Sequence, residues 1–275
     1  MDRVTIDITK SIEENAGLYY EKAKKLKKKL AGVEKTIENF KKDLANLEKR
    51  KAVEESQPAQ PSAASKAAKP EWYEKFRWFI SSEGFLVIGG RDATSNEIVV
   101  KKHTDNNDLV FHTDMIGSPF FVIKKNITLL PNQPPPAAIG NATISEAADA
   151  TATFSRAWKL NMPTTPVFYC KPEQLTKEAP SGEFVPRGGF ITKGKLNYVE
   201  NKINLAAGNF NGKIMAGPLN AVKKHCGKYV EIEQGKEKTS KIAKQIQYKI
   251  GGGLDDIIRA LPAGGCKIKG ISISS

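Results

Sequence analysis

The chain has 275 residues, enough for one large domain or two small ones beside an extended element. Hydrophobic residues make up 40%, and 43 Lys and Arg against 30 Asp and Glu leave a net charge of +13 and an isoelectric point near 9.5. So one-sided a balance points to a polyanionic partner (nucleic acid, ribosome or an anionic membrane surface) more than to solubility alone.

Cys170, Cys226 and Cys266 form no CxxC pair, and an odd count makes a poor disulfide framework, so a reducing cytoplasm is expected. The first residues lack an apolar core of the leader type, and no window approaches the run of apolar residues that a membrane span needs.

Val4, Ile6 and Ile8 alternate with polar residues and suggest a short strand or extended entry. Ser11 and Glu14 then stand at capping-box spacing, opening a helix expected to reach about Glu55. Apolar residues at Tyr19, Ala23, Leu26, Leu30, Val33, Ile37, Phe40, Leu44 and Leu47 alternate by four and three, the seam of a coiled coil. Such a helix is ~65 Å long at 1.5 Å per residue. No later segment has comparable length and period, so the seam calls for a helix from another chain: a second copy or a different polypeptide. Its outer faces are basic. The KAKKLKKK run holds Lys22, Lys24, Lys25, Lys27, Lys28 and Lys29, denser than solvation requires and suited to phosphate. Lys41, Lys42, Lys49, Arg50 and Lys51 read better as a solvated face.

Residues 56–70, rich in Ala, Pro and Ser, read as a flexible linker. From 71 the composition turns aromatic and β-branched. Trp72–Ile80 and Phe85–Gly90 predict a hairpin turning at Ser81–Gly84, followed by a short helix over Arg91–His103. Leu109–His112 and Phe120–Ile123 predict buried strands joined through Gly117-Ser118-Pro119. An Ala-rich helix is expected over Thr143–Leu160, opened by Thr143 or Ser145, and strands over Thr165–Cys170 and Gly189–Tyr198, with a turn at Gly194. The tail predicts a helix near Pro218–His225, a strand Tyr229–Ile232, a helix Lys238–Ile250 ended by Gly251-Gly252-Gly253, a short helix Asp255–Leu261 and a strand Cys266–Ile273. The class is α+β: a long N-terminal coiled-coil helix (1–55), a compact mixed module (71–200) and a small α+β C-terminal extension (201–275).

Signatures of catalysis are missing. There is no Walker or dinucleotide glycine pattern, no nucleophile elbow, and His103, His112 and His225 lack metal-ligand spacing, so no cofactor, metal or catalytic residue is expected. His112 and Asp114, two apart on a strand end, suit a general base or a hydrogen-bonding pair that fixes the loop or touches RNA; without a nucleophile the second reading is preferred.

WYEKFRWFISSEGFLVIGGRDATSNEIVVKKH (72–103), DLVFHTDMIGSPFFVIK (108–124), SRAW (155–158), TKEAPSGEF (176–184) and GGFITKGKLNY (188–198) together resemble the RNA-binding module of the NFACT family of ribosome-associated quality-control proteins. The first helix resembles the second arm of that family's coiled-coil hairpin, and AVKKH and IIRALPAGG resemble the extension of archaeal members. The resemblance implies binding to rRNA or tRNA on the large ribosomal subunit carrying a stalled peptidyl-tRNA. It also implies a separate polypeptide that supplies the N-terminal half with the antiparallel arm and, with it, C-terminal tailing of the stalled chain. A standalone homodimer that binds nucleic acid outside translation is the alternative.

At positions matching the family motifs, Gly89 and Gly90 are expected to allow positive φ and close backbone approach, and Gly117 a tight turn. Arg91 offers a fork for phosphate, or pairs with Asp92 or Asp114. Asn96 caps its segment or touches a sugar. Lys101, Lys102, His112, Asp114, Lys124, Lys125, Arg156, Lys177, Lys193 and Lys195 complete the expected RNA-facing set, while Trp158 is assigned to the core in preference to base stacking.

Overall fold

In the computed structural model, which describes residues 5–55, 71–131, 133–134, 136–178 and 184–273, the chain divides into two units, Met1–Ala68 and Lys69–Ser275. The 56–70 linker lies outside the described residues. No helix among them is long and apolar enough to cross a membrane.

The first unit is built on α1 (Ile12–Glu55). Its capping box forms as expected: Ser11 N donates to Glu14 Oε2 at 2.8 Å and Glu14 N to Ser11 Oγ at 3.1 Å. The alternating residues before it do not form a strand within 5–10; Val4 lies outside the described residues. Asp7 N donates to Asn15 Oδ1, the Asn15 amide donates back to the carbonyls of Asp7, Lys10 and Ser11, and Asp7 Oδ1 accepts from Thr9. Backbone groups satisfied locally need no partner strand. Along the helix Tyr19, Leu26, Leu30, Val33 and Ile37 are exposed by 41–58%. The side chains of Phe40, Leu44 and Leu47 lie outside the described set.

The second unit runs β1 (Arg77–Ile80), β2 (Leu86–Gly89), α2 (Ala93–Lys102), β3 (Leu109–Thr113), β4 (Phe121–Lys124), α3 (Asn141–Thr153), α4 (Arg156–Lys159), β5 (Val167–Cys170), β6 (Leu175–Thr176), β7 (Ile191–Thr192) and β8 (Asn197–Val199). It continues with β9 (Leu205–Phe210), β10 (Lys213–Gly217), α5 (Leu219–His225), β11 (Lys228–Glu237), α6 (Thr239–Ile250), α7 (Leu254–Ala260) and β12 (Cys266–Ile273). The antiparallel strands make a six-stranded sheet in the order β1-β2-β4-β3-β5-β8, a four-stranded sheet β10-β9-β11-β12 and a small β6-β7 pair.

Three elements depart from expectation. The Ala-rich helix is two helices. Ser155, in extended conformation, ends the first and caps the second by accepting from Ala157 N at 3.1 Å. The first begins at Asn141 behind Gly140, and its cap comes from the β1–β2 turn: Glu83 Oε2 accepts from Thr143 N at 2.9 Å and from its hydroxyl at 2.5 Å. Gly194 (φ 82°) makes the turn expected within Gly189–Tyr198, but the strands on either side of it, β7 and β8, join different sheets. The β9–β10 hairpin was not anticipated, although Asn211 and Gly212 supply the two positive φ angles (51° and 85°) that a tight two-residue turn demands.

Segments 71–200 and 201–275 share one core. Ala147, Ala148, Ala150 and Ala152 of α3 are buried, small enough to lay that helix close against β3, β4 and β5. Arg77, nearly buried, lies over the Phe154 ring at 4.3 Å and donates from Nη1 to the Leu261 carbonyl at 3.0 Å, tying the first sheet to the tail. Burial, and secondarily Arg91, pulls its pKa down to about 9. Trp158 is 2% exposed and donates to the Gly265 carbonyl at 3.0 Å, as befits core. Trp158→Ala is expected to destabilise this unit by about 3–5 kcal/mol. Urea unfolding measures it, and a loss near zero would mean that the tail does not depend on this contact.

Candidate nucleic-acid interface

Side chains alternate across a strand, so the pairings β3–β5 and β5–β8 decide what each face of the first sheet presents. Phe111 lies opposite Tyr169, with ring centroids 5.4 Å apart, and Phe121 stacks on Phe154 at the end of α3. The opposite face carries the alternate residues. His112 pairs with Phe168, and Phe168 with Tyr198. These rings form a continuous row: His112 stacks on Phe120 at 4.1 Å, lies 6.1 Å from Phe168, and Phe168 meets Tyr198 edge-on at 5.9 Å. Phe120 also meets Phe190 at 5.4 Å, and Lys177 Nζ stands 4.5 Å over the Phe190 ring. The row rises from core to water, with Phe120 2% exposed, Phe168 5% and Tyr198, on the edge strand, 59%.

Beside the row, the turn after β3 is fixed by its own hydroxyls. Met115 N donates to Thr113 Oγ1 at 3.0 Å, and Ser118 Oγ donates to the Met115 carbonyl at 2.8 Å. Gly117 takes φ 85°, as expected of a tight turn, and Ile116 stands 89% exposed at the tip. Tyr198 donates its hydroxyl to Asp114 at 3.2 Å, while His112 Nε2 faces the Ser118 carbonyl at 3.3 Å. His112 and Asp114 therefore each have another partner, and the dyad geometry of a general base is not formed. Burial lowers the His112 pKa, opposed by the Ser118 and Thr113 backbone and by Asp114.

Several expected RNA-facing residues serve the fold. Arg91 donates from Nη2 to the carbonyls of Glu74 (3.2 Å) and Phe76 (2.9 Å), a correction to both the phosphate fork and the carboxylate pairing. Asn96 is buried and joins α2 to the strand start, accepting from Phe120 N and donating to the Ser118 carbonyl. Lys124 is buried and bonded to Asp105 and Asp108, so it does not reach solvent phosphate; Lys125 donates its backbone N–H to Asp108. Gly89 and Gly90 do not have positive φ. They are needed for space, since a Cβ on Gly89 would sit 2.5 Å from the Phe121 ring and one on Gly90 would collide with the Asn96 amide.

Glu97 gathers three donors, Lys101 Nζ at 2.7 Å, Gly188 N at 3.1 Å and Lys177 Nζ at 3.4 Å, which hold its pKa down to about 2. Lys193 pairs with Glu178 at 3.1 Å, and the Gln174 amide donates to the carbonyls of Lys193 and Lys195. Lys102, Arg156, Lys193 and Lys195 are exposed, as are Lys24, Lys25, Lys27 and Lys29 on α1; the Lys28 side chain lies outside the described set. The ring row itself was not foreseen beyond His112. Phe120, Phe168 and Tyr198 read as ordinary strand residues until the strand order places them side by side.

Residues 75–194 match the family described as NFACT protein RNA binding domain. Over 206 residues the chain is 39% identical to the archaeal Rqc2 homolog aRqcH of Methanocaldococcus jannaschii, covering 72% of this chain and 29% of that protein. Over 185 residues it is 35% identical to ribosome quality control complex subunit NEMF of Homo sapiens, covering 67% of this chain and 16% of that protein. The solved C-terminal part of the fibronectin/fibrinogen-binding protein of Streptococcus suis aligns at 20% identity over 69% of this chain and 77% of that one, with a TM-score of 0.35, too low to bear on the fold. The chain carries an NFACT RNA-binding domain and belongs to the NFACT family.

His103, His112 and His225 are all held below the ordinary imidazole pKa chiefly by burial, so the fold accommodates the neutral form. Below about pH 6.5 the unfolded chain then binds more protons than the folded one, and stability is lost as pH falls from that value through the lower folded pKa. The urea midpoint is expected to drop on acidification from about pH 7 to about pH 5.5 and to drop less in His112→Gln. Equal steepness in the two proteins would contradict a buried, neutral His112.

Proposed function

We propose that this chain is a non-catalytic RNA-binding component of ribosome-associated quality control, acting in the cytoplasm on the large ribosomal subunit. The observation that carries the reading is the aromatic row that runs from residues 75–194, whose family is described as RNA binding, to exposed Tyr198 just beyond them. A ring at a sheet edge, with the exposed Lys193 and Lys195 a few residues before it, suits stacking on an unpaired base while the cations meet sugar-phosphate. The part played in ribosome quality control is supported by the similarity to aRqcH and to NEMF, a ribosome quality control complex subunit, each far longer than the matched region.

The finer parts of the proposal are contact with rRNA or tRNA near a stalled peptidyl-tRNA, and support of C-terminal tailing together with a polypeptide that supplies the N-terminal half. The uncovered seam from Tyr19 to Ile37 favours a helical partner, which that polypeptide would provide as an antiparallel arm. The same seam favours a second reading, a self-paired homodimer that binds nucleic acid outside translation. Mass photometry of the isolated chain separates them: a stable dimer supports self-pairing, and a monomer supports the missing arm.

Tyr198→Ala is expected to weaken binding to single-stranded RNA by about 1–3 kcal/mol in fluorescence anisotropy, and Tyr198→Phe to retain most of it. The tagged chain is expected to sediment with large subunits at moderate salt. Unchanged affinity in Tyr198→Ala would remove the ring from the interface, and absence from the large-subunit fraction would count against the ribosomal role.

A further inference from the structure

Charge is distributed unevenly along the second unit. Residues 71–200 hold fourteen Lys and Arg against fourteen Asp and Glu, whereas residues 201–275 hold thirteen against five. The segment that contains the family-matched domain is thus formally neutral. Several of its cations are already bound, Lys124 to two aspartates, Lys177 and Lys101 to Glu97, and Lys193 to Glu178. Affinity for a polyanion scales with the cations that neutralise phosphates, so the surplus in the tail needs a role.

Part of that surplus is organised on α6. Ile242, Ala243, Ile246 and Ile250 are buried and fix which side of the helix faces the core. Lys241, Lys244, Gln245 and Tyr248 are exposed at spacings of three, four and seven, which stacks them on the outward face. Lys238, also exposed, stands one turn ahead of Lys241. Together with Ser240 and Glu237 these lysines line a shallow hollow of about 370 Å³. Lys241 pairs with Glu237 at 2.5 Å, while Lys238 and Lys244 make no ion pair among the described residues. Tyr248 is 93% exposed, its ring in water four residues beyond Lys244.

We propose that the outward face of α6 is a second RNA contact, in which Lys238, Lys241 and Lys244 bind the sugar-phosphate backbone and Tyr248 stacks on an unpaired base. RNA fits better than an anionic membrane. The apolar side of α6 is buried in the protein's own core, which leaves Tyr248 as the one large apolar group on the outward face, too little for an interfacial helix. An aromatic ring one turn from lysines is the arrangement on which bases stack without sequence preference. The inference rests on the reading that this chain binds RNA and assigns the greater electrostatic share to the tail.

The test uses the full chain and a fluorescein-labelled oligouridine, with anisotropy followed across a salt series. Lys238→Ala, Lys241→Ala and Lys244→Ala combined are expected to reduce the log–log salt slope by about 2, at ~0.7 per phosphate contact on a single strand. Tyr248→Ala is expected to weaken binding roughly tenfold with the slope unchanged. So exposed a ring has no core to disturb, and far-UV circular dichroism checks the triple variant. An unchanged slope in the triple variant, with Tyr198→Ala still weakening binding, overturns the inference and leaves the RNA-binding reading intact. A wild-type chain that ignores the oligonucleotide at low salt overturns both. Triple-variant loss of binding to phosphatidylserine vesicles, with RNA affinity intact, overturns the inference in favour of a membrane.

Discussion

The antiparallel register of β4, β3, β5 and β8 constrains everything else in the proposed interface. It sends Phe111, Tyr169 and Phe121 to the face that α3 covers and His112, Phe168 and Tyr198 to the other. A slip by one residue would exchange the two sets and put the imidazole under an alanine-rich helix. Several contacts hold the register where slippage would begin. Asn96 grips the start of β4 from α2, the Thr113 and Ser118 hydroxyls close the β3–β4 turn, and Asn201 donates from Nδ2 to the Thr165 carbonyl at 2.7 Å between β5 and β8. Groups that look chemically available in the sequence are therefore committed to alignment.

Charge follows a similar division of labour. Within 71–200 the ions are balanced, and those nearest the core are paired or bonded to backbone, as Lys124 and Arg91 are. Among the described residues, exposed lysines gather on the outward face of α6, where Lys238 and Lys244 make no ion pair, and along the first half of α1. Such a molecule would find a polyanion through its flanks and orient it through its rings, because long-range attraction follows net charge whereas stacking needs a placed aromatic surface.

The fold was legible wherever a single element carries its own signal. The Ser11 capping box, the β1–β2 hairpin, the helix ended by Gly251 and the strand Cys266–Ile273 all follow from local pattern. Long-range satisfaction was not legible. Nothing beside Gly140 announces that Glu83, from a distant turn, will cap α3, and nothing beside Arg91 says that two carbonyls will occupy its fork. The Asn211-Gly212 hairpin is different, since its turn signal is plain in the residues themselves. The candidate site was half legible: His112 and Asp114 stood out, but their ring neighbours come together only through strand order, which no spacing in the sequence encodes.

Photo-crosslinking of the full chain to 4-thiouridine RNA, with the attachment sites read by mass spectrometry, tests the central claim most directly. The account predicts adducts at Tyr198 or the adjoining turn, and at Tyr248. Adducts confined to other surfaces, such as the exposed side of α7 (Asp255, Asp256 and Arg259), with none at either ring, would contradict it.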